Sequence, residues 1–378
     1  MLRIVVFVAI VVAVFLPLNV IAATQLARIH PRRKRIVAAL LVICNAMWLS
    51  LPWLNVRNDL TRFVRALLGP PWFAWLCFIL VYCALLLLVF LAWVPFRRHP
   101  FREFARWPSR IFLWGTLTAI PIGVFTALVP LDVRRVPITL RDLPPELNGT
   151  RIVLIADLHV GLFSRPSRLR QIFETVNGLR PDFVLLAGDL IDDDPYYVTK
   201  LLDGTRWVAS STPLIGVLGN HEMYGDPLEV IRRLRGSRIH LLVNGGMQWR
   251  GLWIAGLSDY AARTRALEPD FAEALAGKPA GLFPIVVSHQ PRSFPESIQR
   301  KLPLTLCAHS HGGQCGFRPL HWSLAGLFLP YHMGLYRRGD SQLYVNTGTG
   351  YWLLPWRLGL LPEITVIELR SASSTPLR

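Results

Sequence analysis

Four stretches in the first third of the chain carry no charged side chain: 4–27, 36–56, 66–96 and 111–131. Each has about 20 residues or more, the length an apolar helix needs to cross a hydrocarbon core of about 30 Å. They predict a transmembrane region over 1–131, with four helices at about 4–27, 36–56, 72–96 and 111–131. Taken singly, each run also fits a buried core helix. The first fits a cleaved signal peptide as well, ending near Ile21, Ala22 and Ala23. With 52% hydrophobic and 17% charged residues among 378, neither a disordered chain nor a wholly soluble one is expected.

Charge separates the two parts of the chain. The formal net charge is +17, from 41 Lys+Arg against 24 Asp+Glu, which raises the question of nucleic acid or an anionic membrane surface. Residues 1–130 hold 14 of the basic residues and two acids, Asp59 and Glu103, so +12 of the excess lies there and +5 beyond. Arg28, Arg32, Arg33, Lys34 and Arg35 fall between the first two runs. Arg97, Arg98, Arg102, Arg106 and Arg110 are read as the loop before the fourth. Ten basic residues mark that face as cytoplasmic, against seven (Arg3, Arg57, Arg62, Arg65, Arg134, Arg135, Arg141) on the other. The catalytic part is thereby expected on the extracytoplasmic side of the cytoplasmic membrane, and no nucleic-acid partner is expected.

From Arg151 the pattern changes to short apolar strands that end abruptly in polar residues. Residues 151–155 run into Asp157 and His159, 183–186 into Gly188 and Asp189, and 214–218 into Gly219, Asn220, His221 and Glu222. Further on, 284–287 run into His289 and 304–307 into His309, Ser310 and His311. Between the first two strands, Leu169, Ile172, Phe173, Val176 and Leu179 repeat with the spacing of one helix face. Strand, helix, strand with polar residues at the carboxyl ends is how α/β folds build sites.

Taken alone, each of these signals is weak. Asp-x-His is a common coincidence, His289 fits a satisfied strand histidine, and Gly219-Asn220 fits a plain turn. His309 and His311 are more informative, because period-two spacing sends both rings to one side of an extended segment. Together, Asp157, His159, Asp189, Asn220, His289, His309 and His311 mix oxygen and imidazole donors. That mixture suits transition-metal divalent ions, and seven donors are about right for two metals sharing a carboxylate.

This succession, with Ala308-His309-Ser310-His311-Gly312-Gly313-Gln314, resembles the calcineurin-like metallophosphoesterases. More narrowly it is similar to their membrane-associated YkuE/YaeI-like branch, which has a terminal run like Asn346-Thr347-Gly348-Thr349-Gly350 followed by Pro355, Arg357 and Pro362-Glu363-Ile364. The resemblance covers about 137–370. It implies an α/β sandwich of two mixed sheets flanked by helices over 132–378, and two divalent cations (Mn, Fe or Zn). One cation would be held by Asp157, His159, Asp189 and His311. The other would be held by Asp189, Asn220, His289 and His309, with Asp189 bridging and His221 as the general acid. Ala308, Ser310 and Glu222 depart from the usual Gly, Thr and Asp without removing a ligand.

The expected activity is hydrolysis of a phosphomonoester or phosphodiester by metal-bound hydroxide, in a membrane-anchored enzyme whose partners are the lipid bilayer and a phosphoester, a lipid-linked one included. Two alternatives stay open: a cytoplasm-facing UDP-diacylglucosamine-type pyrophosphohydrolase, and a non-catalytic metal- or phosphate-binding sensor or transporter. Asp192, Asp193 and Asp194 read as a solvated acidic loop, Asp259 is kept out of the site, and Cys307 and Cys315 read as independent thiols. Two apolar stretches, 319–336 and 351–361, are expected either to fill the core or to form a rim beside the metals.

Overall fold

A computed structural model of the chain describes residues 81–353 and 355–372, with scattered positions between 18 and 79. The helices expected at 4–27 and 36–56, and the start of the one at 72–96, lie outside the described residues apart from those positions. The chain divides into two compact units, Met1–Pro121 and Ile122–Arg378.

In the first unit, helix α1 (Val81–Phe96) continues the third apolar run. The Tyr82 hydroxyl meets Ser109 Oγ at 3.2 Å, and the Phe78, Tyr82 and Phe112 rings stack with centroids 5.5–5.8 Å apart. Helix α2 (Phe101–Leu128) differs from expectation at its start, since only 97–100 interrupt the helical path. Arg102, Arg106 and Arg110 are therefore helical and not in a loop. Arginine is a good helix former, and the Arg110 guanidinium stands 5.5 Å from the centroid of the Trp107 ring. Within α2, Glu103–Leu128 is the one helix among the described residues long and apolar enough to cross a membrane.

Among the described residues the second unit has fourteen strands: β1 (Asp132–Leu140), β2 (Arg151–Ile155), β3 (Phe183–Ala187), β4 (Leu214–Val217), β5 (Ile239–Leu241), β6 (Gly245–Trp249), β7 (Leu252–Gly256), β8 (Phe283–Val287), β9 (Leu304–Cys307), β10 (Gly316–Phe317), β11 (Trp322–Ser323), β12 (Gly334–Arg338), β13 (Ser341–Val345) and β14 (Glu363–Ser371). They form two six-stranded mixed sheets, ordered β1-β14-β2-β3-β4-β5 and β12-β13-β9-β8-β7-β6, and one hairpin, β10-β11. β2 to β5 run parallel to one another, as do β13, β9, β8 and β7.

Both faces of the central strands are buried, which explains their nearly unbroken apolar sequences. Ile152, Leu154, Leu185, Ile254, Ile285, Leu304 and Leu306 belong to the core between the sheets. Val153, Ile155, Val184 and Leu186 face outward under helix α3 (Pro166–Gly178), which supplies Leu169, Ile172, Phe173 and Val176, the face read from the sequence. On the far side Trp253, Ala255 and Val286 pack on Phe271 and Ala274. The result is the two-sheet sandwich flanked by helices that the family resemblance implies. Both sheets bring the carboxyl ends of parallel strands to one place.

Candidate metal centre

Each expected donor follows closely on the end of a strand, Asn220 at the start of a short helix (Asn220–Tyr224) and His311 at the start of a 3-10 turn (His311–Gln314). Asp157 and His159 follow β2, Asp189 follows β3, Asn220 and His221 follow β4, His289 follows β8, and His309 and His311 follow β9. Five of these residues have left-handed backbones: Asp157 (φ 51°), His159 (44°), Asp189 (50°), His309 (73°) and His311 (48°). Such conformations cost about 1 to 3 kcal/mol each and gather where function requires them.

The turns brace one another. Asp157 N donates to Gly188 O and His159 N to Asp189 O, both at 3.0 Å, so the β2 and β3 turns remain paired past the ends of the strands. Gly188 lies at φ +83°, and a Cβ there would stand 2.7 Å from His289 Nδ1 and 2.8 Å from Gly219 N. Only glycine allows the β3 and β8 turns to approach that closely. Glu222 is fully buried, and its carboxylate accepts four backbone N–H groups: Asp189 (3.0 Å), Leu190 (2.7 Å), Ile191 (3.0 Å) and Gly219 (2.6 Å). Asp189 Oδ1 in turn accepts from His221 N at 2.9 Å.

The side chains form overlapping clusters. Ligand atoms of Asp157, His159 and His311 lie within 4.8 Å of one another, as do those of Asp189, His289 and His309. In the first, the Nε2 atoms of His159 and His311 are 3.0 Å apart and His311 Nε2 is 3.7 Å from Asp157 Oδ1. In the second, His289 Nε2 is 3.2 Å from Asp189 Oδ2, 3.2 Å from His309 Nδ1 and 3.1 Å from Asn220 Oδ1, while its Nδ1 meets Ala187 O at 2.8 Å. Asp189 Oδ2 also lies 3.6 Å from His159 Nε2, which joins the two clusters. All seven expected donors are thus brought together. His221 also falls within ligand distance of His159 and Asp189, so geometry alone does not set it apart from the ligands.

The electrostatics of Asp157, His309 and His311 fit cations, whereas burial would lower His289 but Asp189 outweighs it and raises His289, so an ion held there must displace its proton. Asp157 is fully buried, both its carboxylate oxygens lack hydrogen-bond partners, and burial raises its pKa to about 6. An orphaned buried carboxylate is costly unless something positive satisfies it. Burial, followed by the neighbouring His289 charge, depresses His309 to about 3; burial with His159 and Arg357 holds His311 well below its ordinary value. Both imidazoles are therefore neutral, the form that ligates. Burial opposes ionisation of Asp189, but the His289 charge and hydrogen bond outweigh it and keep the carboxylate ionised.

Several residues act here that sequence reasoning placed elsewhere. Asp192 and Asp193 are not merely a solvated loop: Asp192 Oδ1 lies 3.3 Å from His159 Nδ1, and Asp193 Oδ1 lies 2.7 Å from His221 Nδ1. Burial would lower His221, but Asp193 and then Asp189 raise it to about 9. Asp194 caps the turn after it through Tyr196 N at 2.9 Å. Arg357, fully buried, donates from Nη2 to Thr347 O (2.9 Å) and Gly348 O (3.1 Å), with Nη2 3.3 Å from His311 Nδ1. Its buried place was legible only through the terminal run that resembles the family. Asp259 stays outside the donor clusters, held by Ala261 N and Gln290 Nε2 at 2.8 Å each, and Cys307 and Cys315 are free thiols.

Fold and donor set define a metal-dependent hydrolase scaffold with a dinuclear divalent-metal centre. The calcineurin-like phosphoesterase family model matches residues 150–313, which include every donor above. A metallophosphoesterase of Helicobacter pylori is 32% identical over 281 residues, covering 73% of each chain. The chain belongs to the calcineurin-like phosphoesterases and is a metal-dependent phosphoric ester hydrolase. A zebrafish protein named as a transmembrane protein with metallophosphoesterase domain is 33% identical over 66% of this chain and 60% of its own length, so this chain spans well under two thirds of that relative. The Bacillus subtilis metallophosphoesterase YkuE is 27% identical over 70% and 98%. Among solved structures, the NAD nucleotidase of Haemophilus influenzae covers 52% of this chain and 45% of its own, with 17% identity and a TM-score of 0.33.

Proposed function

We propose that the chain is a membrane-anchored phosphoesterase acting on an amphipathic phosphomonoester or phosphodiester. The observation that carries the reading is the pair of clusters joined at Asp189 beside the orphaned Asp157 carboxylate. In this reading Asp157, His159, Asp189 and His311 hold one divalent cation. Asp189, Asn220, His289 and His309 hold the other. When bound, the cations acidify water and neutralise phosphoryl charge. His221, kept protonated by Asp193, donates its proton to the leaving-group oxygen. Glu222 and the Gly188 turn hold Asp189 where both clusters reach it.

An apolar rim supports the amphipathic substrate. Leu320, Leu327 and Phe328 are 76%, 64% and 81% exposed. The segment that carries them packs on the metal-binding turn, since a Cβ on Gly313 would stand 2.7 Å from Ala325 N and 2.8 Å from Leu324 Cβ. The Trp352 ring is centred 6.4 Å from that of His221. Exposed apolar groups beside a polar centre suit a lipid phosphoester presented from the bilayer.

Two substrates test this. Trp322→Ala with Phe328→Ala is expected to depress hydrolysis of a lipid phosphoester far more than that of a soluble aryl phosphate; equal losses would remove the lipid from the reading. We further propose that the catalytic unit faces outward, because Arg97, Arg98, Arg102, Arg106 and Arg110 gather before or within the amino-terminal part of α2. A reporter active only outside the cytoplasm, fused after Arg378, is then active. A silent reporter would place the site in the cytoplasm.

A further inference from the structure

Residues 122–128, the last two turns of α2, belong to the catalytic unit and meet the loop at 356–357 there. Gly123 O accepts from Arg357 N at 2.9 Å, and the Thr126 hydroxyl donates to Arg357 O. Gly123 also seats the neighbouring indole, since a Cβ in its place would stand 2.0 Å from Trp356 Nε1. The Arg357 backbone is thus gripped at both its N–H and its C=O, which aims the side chain inward. There the guanidinium pins 347–350 through the carbonyls of Thr347 and Gly348 and, from Nε, through Gly350 O at 2.9 Å. The pinned loop holds the β2 turn: Thr349 N donates to Ala156 O at 2.8 Å and Gly350 N to Asp157 O at 3.0 Å. Gly348 leaves no slack, because a Cβ there would lie 3.0 Å from both Asp157 Cβ and His311 Nδ1.

We propose that the end of this apolar helix is a positioning latch for one half of the metal centre. The contacts run from Gly123 and Thr126 through Trp356 and Arg357 to Asp157 and His311, members of one donor cluster. They reach the other cluster only through the pairing of the β2 and β3 turns, so the latch biases the affinity of one cation more than that of the other. Arg357 is the positioning residue; it acts through the loop and on His311 Nδ1, 3.3 Å from its Nη2, and is not itself a ligand. The inference rests on the ligand assignment proposed above and extends it, since a change in the packing of the apolar helix becomes a change in the occupancy of one cation. Partners that only orient ligands typically change metal affinity by about 10- to 100-fold.

The test uses full-length protein and Mn²⁺ alone, titrated calorimetrically. Gly123→Leu is expected to weaken one of two Mn²⁺ equivalents by about 10- to 100-fold and to change the other far less. Gly115→Leu, on the same helix with nothing among the described residues within 4 Å of the added Cβ, is expected to bind as the parent does. Adding Trp356→Ala to Gly123→Leu makes room for the leucine and is expected to recover most of the loss, an outcome that a merely misfolded variant would not give. Unchanged binding in Gly123→Leu, equal weakening of both equivalents, or no recovery in the double variant would overturn the latch. A parent protein that binds two Mn²⁺ ions but hydrolyses no phosphoester would instead overturn the proposed function.

Discussion

Glu222 shows how much of a metal centre lies outside its ligands. Its carboxylate closes four backbone N–H groups from two turns, and one of them belongs to Asp189. Glu222→Ala would leave four buried donors open, at about 1 to 3 kcal/mol each before water enters to offset part of the cost. We expect a lower melting temperature together with weaker metal binding, because the same bonds fix Asp189; thermal unfolding with and without Mn²⁺ reads both. An unchanged melting temperature would show that the amides find other partners. At this scale the cluster was legible only in combination: each of the seven residues alone has other uses, but all follow apolar strands of one unit, and the fold brings them together. The supporting acids were not legible. Asp192 and Asp193 sit in an acidic run that composition assigns to solvent, and only the path of the chain after β3 turns two of the three carboxylates toward His159 and His221.

Among the elements, β14 ties the outer strands to the site. Glu363 opens it, fully buried, and receives the Tyr344 hydroxyl at 2.5 Å, the Thr365 hydroxyl at 2.6 Å, the Thr347 hydroxyl at 2.7 Å and the Arg318 guanidinium. Burial alone would raise its pKa, but Arg318 and these hydroxyls outweigh it and hold the group below the usual carboxylate range. A depressed folded-state pKa stabilises at pH above the unfolded value of about 4.3, and that stabilisation fades as pH falls through the folded one. The acid limb of a stability-versus-pH curve should therefore be shallower in Glu363→Gln than in the parent. Parallel limbs would mean that Glu363 does not titrate differently on unfolding. The parallel strands β2, β3, β4, β8 and β9 were visible as apolar runs because both their faces are buried. The edge strands were not: β1 alternates exposed and part-buried residues until Val136, and β6 has no fully buried residue. The start of α2 was misread because basic residues punctuate a sequence as a loop would, while arginine continues a helix readily.

For the whole molecule, the sequence divides its charge as it divides its work, with most of the basic excess before residue 131 and the donors after it. The strand-end pattern defines the catalytic unit, while the proposed anchor rests on apolar length, a far less specific signal. The central claim is that two cations share Asp189. Metal content per chain, measured after saturation with Mn²⁺ and removal of excess and paired with aryl phosphate hydrolysis before and after chelation, tests it most directly. The account predicts two equivalents in the parent, hydrolysis abolished by chelation and restored by Mn²⁺, and loss of both turnover and bound metal in Asp189→Asn. His221→Ala should keep both ions while turnover falls by about 10² to 10⁴. A single equivalent in the parent, hydrolysis that survives chelation, or full metal content in Asp189→Asn would contradict it.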